Sequence, residues 1–171
     1  MIPENIEQVK RSQIRHFLNT TPKADSEKWD LLGVGITDYG IAFGASVSSE
    51  KWIIEDVARN TVDSYNKSGG VTQTCYKGDP VFEYINDLRR RSAIGADCNT
   101  QVIDIDLYDF IKEEDTETIK YNATKNDCAI EITNYAEGEK PSIQYTIHYN
   151  GDPILGIVTI ADGVPTFVEE A

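Results

Sequence analysis

The sequence predicts a mainly β fold: an antiparallel β-sandwich or barrel of two sheets with one flanking α-helix at about residues 79–91. Three observations predict it. There are 20 Ile and 11 Val against 6 Leu, with 14 Thr and 9 Tyr. β-branched and aromatic side chains suit a pleated, half-buried surface, whereas Leu and Ala suit helices. Segment after segment alternates apolar with polar residues, the period of a strand. Turn-forming clusters recur about every ten residues, the spacing of an all-β sandwich or barrel. At 171 residues the chain reads as one domain, long enough to bury a core without disulfides or metal.

Residues 1–28 are polar, with Pro3 and Pro22. Val9, Gln13 and His16-Phe17 fit only a short, poorly marked helix. The stretch reads as an arm that orders against a partner surface, or as a frayed terminus. The domain proper is expected over 29–171. From Trp29, Leu32, Val34 and Ile36 alternate with Gly33, Gly35 and Thr37, and Ile41 and Phe43 continue the pattern. Two glycines on one face imply close approach of another backbone, or a bulge. Residues 46–49 read as a polar break, and residues 50–57, with Lys51-Trp52-Ile53-Ile54-Glu55, as the next strand. Residues 58–70, ending in Ser68-Gly69-Gly70, read as a long loop or a hairpin extending beyond the body; long loops in compact domains are functional or mobile. Residues 71–76 alternate again.

The helix is the best-marked element. Asp79 is a favourable N-cap and Pro80 suits the first helical position. Val81, Ile85 and Leu88 fall on one stripe with Phe82 and Tyr84 at its edges. Arg89, Arg90 and Arg91 complement the dipole in the last turn, and Gly95 lies beyond as a stop. Strands follow at 101–108, at 117–124 and 128–134 (a pair joined through Asn126-Asp127), and at 143–149. Asn150-Gly151-Asp152-Pro153 reads as a strong turn. A strand at 154–160, a turn at Asp162-Gly163 and a short strand at 166–168 close the chain.

The formal net charge is −13 and the sequence pI about 4.5. That excludes a protein that grips phosphate backbones and a polybasic membrane binder. Cys75, Cys98 and Cys128 are odd in number and lack C-x-x-C spacing, so they form neither a disulfide framework nor a zinc site. No signal-peptide core or membrane-span-length apolar run is seen, which implies synthesis and folding in a cytoplasm. Asp104-x-Asp106, with Asp109 nearby, invites a cation reading. Residues i and i+2 of a strand share a face in any case, so a solvated face explains them as well. His16 and His148 are the only histidines. No nucleophile elbow, phosphate loop or zinc-protease motif occurs. No catalytic residue, metal ligand or cofactor is therefore expected.

The stretch Gly78-Asp79-Pro80-Val81-Phe82-Glu83-Tyr84-Ile85-Asn86-Asp87-Leu88-Arg89-Arg90 resembles the major tail proteins, or tail tube proteins, of long-tailed bacteriophages of Gram-positive bacteria. The resemblance extends upstream through Trp52-Ile53 and Asp63-Ser64-Tyr65. Downstream it runs through Thr100-Gln101-Val102-Ile103-Asp104-Ile105, Gly151-Asp152-Pro153-Ile154-Leu155-Gly156 and Asp162-Gly163-Val164-Pro165-Thr166-Phe167. It covers roughly residues 29–168, and the ordered set carries it rather than any one motif.

The resemblance implies a structural subunit that catalyses nothing. Six copies form a ring, one sheet from each joining a barrel around a lumen, and rings stack through a long loop and terminal arms. Residues 58–70 match that loop. The implied partners are further copies of the chain, DNA and a tape-measure protein transiently in the lumen, and tail terminator and distal tail or baseplate proteins at the ends. The implied location is the virion tail. An acidic wall suits a conduit through which DNA must slide. Asp104 and Asp106 are the lumen-facing candidates, the alternative being the outside of the ring. Val81, Phe82, Ile85, Leu88 and Trp52 are the candidates for helix or subunit packing. Two readings compete: a related tail part, such as a terminator or the tube of another injection machine, and a carbohydrate-binding β-sandwich using Trp29, Trp52 and the tyrosines.

Overall fold

A computed structural model describes residues 6–112 and 118–170. Ten strands and one α-helix are seen among them: β1 Ile14–Asn19, β2 Trp29–Leu31, β3 Ile36–Ala42, β4 Ala45–Glu50, β5 Arg59–Tyr65, β6 Ser68–Thr74, α1 Pro80–Arg91, β7 Asn99–Lys112, β8 Ile119–Ala136, β9 Ser142–Ala161 and β10 Val164–Glu169. The main sheet runs β2-β1-β7-β8-β9-β6-β3, with β10 also paired to β9. β4 and β5 form a separate two-stranded sheet. All pairings are antiparallel. The fold is mainly β with one helix, as the residue types and periodicity predict.

Successive residues of a strand point to opposite faces, and here both faces bury a core. On one face Leu18, Val71, Val102, Cys128, Ile130, Ile143, Tyr145 and Ile147 pack with Val81, Ile85 and Leu88 of α1. On the other, Phe17, Trp29, Ile103, Ile105, Ala123 and Val158 pack with Leu31, Tyr121 and Phe167. This second core draws on β1, β2, β7, β8, β9 and β10, so the sheet curls round it.

α1 forms where its caps dictate. Asp79 accepts from the Phe82 amide at 3.0 Å and from Gln73 Nε2 at 2.7 Å. Gln73, fully buried, also donates to the Val34 carbonyl and accepts from the Tyr145 hydroxyl at 3.2 Å. The cap thus fastens the helix to β6 and β9, as well as satisfying an orphan donor. Burial raises the Asp79 carboxyl above its usual range. The helix ends at Ser92 in the left-handed region, φ 49°, with Gly95 in the turn beyond rather than at the cap.

Three expectations are corrected and a fourth is narrowed. Regular structure begins at Ile14, not Trp29: β1 lies inside the sheet between β2 and β7, with Phe17, Leu18 and Asn19 buried. A strand buried on both faces shows no alternation to read. Residues 46–49 belong to a strand, while 51–58 are the turn of the hairpin, so the strand lies before the predicted one. Of the two readings of residues 58–70, the hairpin extending beyond the body is the one observed, since they hold β5, its returning strand, and the start of β6. The expected pair at 117–124 and 128–134 is one strand, β8; the part at residue 117 lies outside the described residues.

Asn150-Gly151-Asp152-Pro153 does not reverse the chain. β9 runs through it, because both its halves pair with the same long neighbour: Asp127 faces Asn150 and Lys125 faces Ile154. Two extra β9 residues are taken up as a bulge, with Gly151 at φ 68°. Asp162-Gly163 does turn β9 into β10.

Candidate assembly surfaces

The β4–β5 hairpin prolongs the β3–β6 ladder beyond the body. Ala42 faces Ser68, the Asn66 amide donates to the Gly44 carbonyl at 3.2 Å, and Ala45 faces Tyr65. Gly44 has φ 56°, and a Cβ there would meet the Asn66 carbonyl oxygen at 2.7 Å, so only glycine fits this kink. Every residue of both hairpin strands is exposed. At the tip Trp52 is 53 % exposed, Ile54 84 % and Val57 78 %, and Ile53 is wholly exposed. The Arg59 guanidinium lies 4.4 Å over the Trp52 ring and pairs with Glu55, which holds the tip's shape without covering its apolar side. An apolar patch of this kind on an otherwise solvated ribbon marks an interaction site. Trp52 therefore sits far from the helix, exposed at the tip.

The other packing candidates lie elsewhere. Val81, Ile85 and Leu88 are buried inside the chain, and Phe82 packs half-buried against the same core. Arg89 stacks on Tyr135 at 3.9 Å and Arg91 pairs with Asp87 at 2.8 Å, so both have partners in their own chain.

Asp104 and Asp106 share a face of β7 but not an environment. Asp106 is exposed. Asp104 is half-buried, with His16 Nδ1 at 2.7 Å and Asn126 Nδ2 donating at 3.2 Å. The His16 ring meets Tyr39 edge-on at 4.7 Å, and the Tyr39 and Tyr149 hydroxyls are hydrogen-bonded at 2.7 Å. Burial pushes both phenols up. Asp104 is thus the acceptor of a polar cluster joining β1, β3, β7, β8 and β9. Asp109 accepts from Asn122 at 2.7 Å. Among the described residues no group of three or more His, Cys, Asp or Glu is arranged to hold a metal ion.

The sequence places His16 in a poorly marked terminus and singles it out as one of two histidines. No sequence signal pairs it with Asp104, since that register, His16 facing Asp104, joins strands 88 residues apart. His148 pairs at the surface with Glu131 at 2.7 Å. Burial raises the Cys128 thiol to about 12, which makes it an inert core residue.

Trp29 is 9 % exposed in the second core, with its indole N–H donating to Glu27 at 3.2 Å and Lys125 over its ring. It offers no free face to a sugar, so the two tryptophans make no joint stacking platform. Among the described residues the path of the main sheet ends in β2 on one side and β3 on the other, each paired along one edge, and β10 pairs with β9 alone. Open edges of this sort recruit another chain unless covered.

No protein-family model and no curated protein matches the chain. The fold is similar to that of a chain in the tail of an empty GTA particle, computed with helical refinement and C6 symmetry. The TM-score is 0.58 at 10 % identity, over 85 % of this chain and 97 % of that one. A chain of the anti-feeding prophage (AFP) baseplate, six-fold symmetrised, aligns with a TM-score of 0.40 at 13 % identity, over 88 % of this chain and 97 % of that one. The first likeness shows a shared fold.

Proposed function

We propose that the protein is a structural subunit of a phage-type tail, and specifically of its tube: six copies close a ring and rings stack into a conduit for DNA. The observation that carries this is the exposed β4–β5 hairpin, an apolar-tipped ribbon that its own chain leaves unburied. Two further facts support it. The sheet has open edges at β2 and β3 that neighbouring copies would pair. The fold matches a chain from a C6-symmetric tail, in line with the sequence resemblance to tail tube proteins of phages of Gram-positive bacteria.

The residues ahead of Ile14 serve as the arm. A charge of −13 per copy disfavours retained DNA. Of the two lumen candidates, Asp106 is exposed beside Tyr108 and can face a passing phosphate backbone, whereas Asp104 is half-buried and engaged by His16. Tape-measure protein and DNA would occupy the lumen, and terminator and baseplate proteins the ends.

Light scattering after size exclusion over a concentration series, with electron microscopy of each fraction, tests the proposal. Tubes are expected. Isolated rings would move the assignment to a tail terminator. A monomer at every concentration that binds glycans would overturn it.

A further inference from the structure

We propose that the cleft between residues 20–28 and the end of the main sheet is a binding site for a neutral saccharide. The floor is a row of polar side chains. Leu18 faces Val102, so Asn19 stands beside Gln101 at the next step of that antiparallel ladder. Gln101 faces Asp127, and Asp127 faces Asn150. Cross-strand neighbours share a face, so amide, amide, carboxylate and amide follow one another across β1, β7, β8 and β9. Asn99, two residues before Gln101, joins the same face. Two residues the other way along β1 and β7 stand Phe17 and Ile103 of the second core. On these two strands the face turns from apolar to polar within one strand period.

The roof is a loop with its own internal bonds. The Ala24 amide donates to the Thr21 carbonyl at 3.1 Å. The Thr21 hydroxyl donates to the Ser26 carbonyl at 3.1 Å and accepts from the Lys28 amide at 3.0 Å. Lys23 pairs with Asp97, and Lys125 Nζ lies 3.0 Å from Glu27, so the loop is tied down at two points. Floor and roof enclose about 680 Å³, the size of a small-molecule site.

Asn19 gives an independent sign that something outside the chain completes this cleft. It is 2 % exposed and lines the cleft. Its Oδ1 accepts from the Thr21 amide at 3.0 Å, and its backbone carbonyl accepts from the Thr100 hydroxyl at 2.5 Å. Its Nδ2 donates to no described residue. A buried donor left without an acceptor costs stability unless a ligand or water accepts from it.

The lining selects the ligand class. Asn99, Asn150 and Asp25 line the cleft, and their side chains have no partner among the described residues. Carboxamides donate and accept, carboxylates accept, and a sugar hydroxyl does both. No Lys, Arg or His is among the lining residues, whereas Asp25, Glu27 and Asp127 are, so an anion is repelled. No aromatic ring is among them either, so an apolar ligand gains little. Glu27 and Asp127 are already engaged, by Lys125 and by Gln101 at 2.8 Å. Among the described residues no group of acids is arranged to hold a metal ion. A neutral polyhydroxylated ring is the ligand that remains. The site uses neither Trp29 nor Trp52.

Saturation-transfer NMR of the full chain with glucose, galactose, rhamnose and N-acetylglucosamine tests the proposal. Saturable transfer to the ring protons of at least one is expected, with none to glucuronic acid. Asn99→Ala with Asn150→Ala is expected to weaken binding about tenfold or more, through two lost hydrogen bonds. Both residues are exposed, so the urea midpoint should not move. Trp52→Ala is expected to bind as the wild type does. Absence of transfer to all four sugars, binding unaltered by the double substitution, loss of binding in Trp52→Ala, or tighter binding of glucuronic acid would each overturn the proposal. Calcium chloride alone shifting the side-chain amide resonances of Asn19 and Asn150 would make the cleft a cation site and overturn it as well. None of these outcomes bears on the tube reading, which assembly decides.

Discussion

Two short segments carry apolar residues to opposite ends. In α1, Val81, Ile85 and Leu88 are each no more than 1 % exposed. In the hairpin turn, Trp52, Ile53, Ile54 and Val57 are each at least half exposed. Hydrophobicity does not separate them; what differs is whether the chain itself supplies the opposing surface. α1 has a sheet face beneath it and a cap tied to Gln73. The hairpin has neither, so its apolar atoms gain nothing from folding and wait for another molecule.

The largest effect that could break this contrast is in the helix. Leu88→Ala is expected to cost about 2–5 kcal/mol, read from the urea midpoint, because a cavity opens under a helix that cannot collapse onto it. Asp79→Ala is expected to cost about 1–3 kcal/mol, since it removes the cap and strands the buried Gln73 amide. A loss below about half a kcal/mol would show that the helix is held by its stripe alone.

Asp79→Asn sharpens the same point through pH. The native carboxyl is raised, so the native state holds its proton at pH values where the unfolded state has lost it. Stability contributed by this group is therefore present at low pH and falls as pH rises through the raised value. Asparagine still accepts from Phe82 and Gln73 but cannot ionise. Urea midpoints between about pH 3 and about pH 7 should show that fall in the wild type and its loss in the variant. The smallest effect belongs to the tip. Ile53→Ser is expected to change monomer stability by about 0.5 kcal/mol or less, by the same urea assay. A larger loss would mean that the tip is buried by its own chain in solution.

How much of this was legible in the sequence follows the same division. The helix was readable to the residue because its signals are local: Asp79, Pro80, and a stripe at 81, 85 and 88. β3, β6 and β10 were close, because one face of each is wet. β1 was not readable, since a strand between two cores has no polar face, and its partner β7 begins 80 residues after it ends. β8 and β9 each read as two strands, broken at Asn126-Asp127 and at Asn150-Gly151-Asp152-Pro153, because such turn chemistry is the same for a reversal and a bulge. Only pairing with a long neighbour decides between them. The apolar run at Trp52 to Ile54 was read as a strand because the sequence shows hydrophobicity, not what covers it. Of the aspartates, Asp104 escaped because its histidine comes from the misread terminus.

β9 has a consequence for how the molecule comes apart. Along one edge it pairs with β8 for most of its length; along the other it pairs first with β6 and then with β10. Residues 142–148 serve the helix-covered core and 156–161 the other. One continuous strand splices two halves that would otherwise share little. Neither half can then open as a separate cooperative unit without tearing the splice. Amide hydrogens at both ends of β9 should exchange with solvent in one common, slowest event, while those of β4 and β5 exchange almost at once.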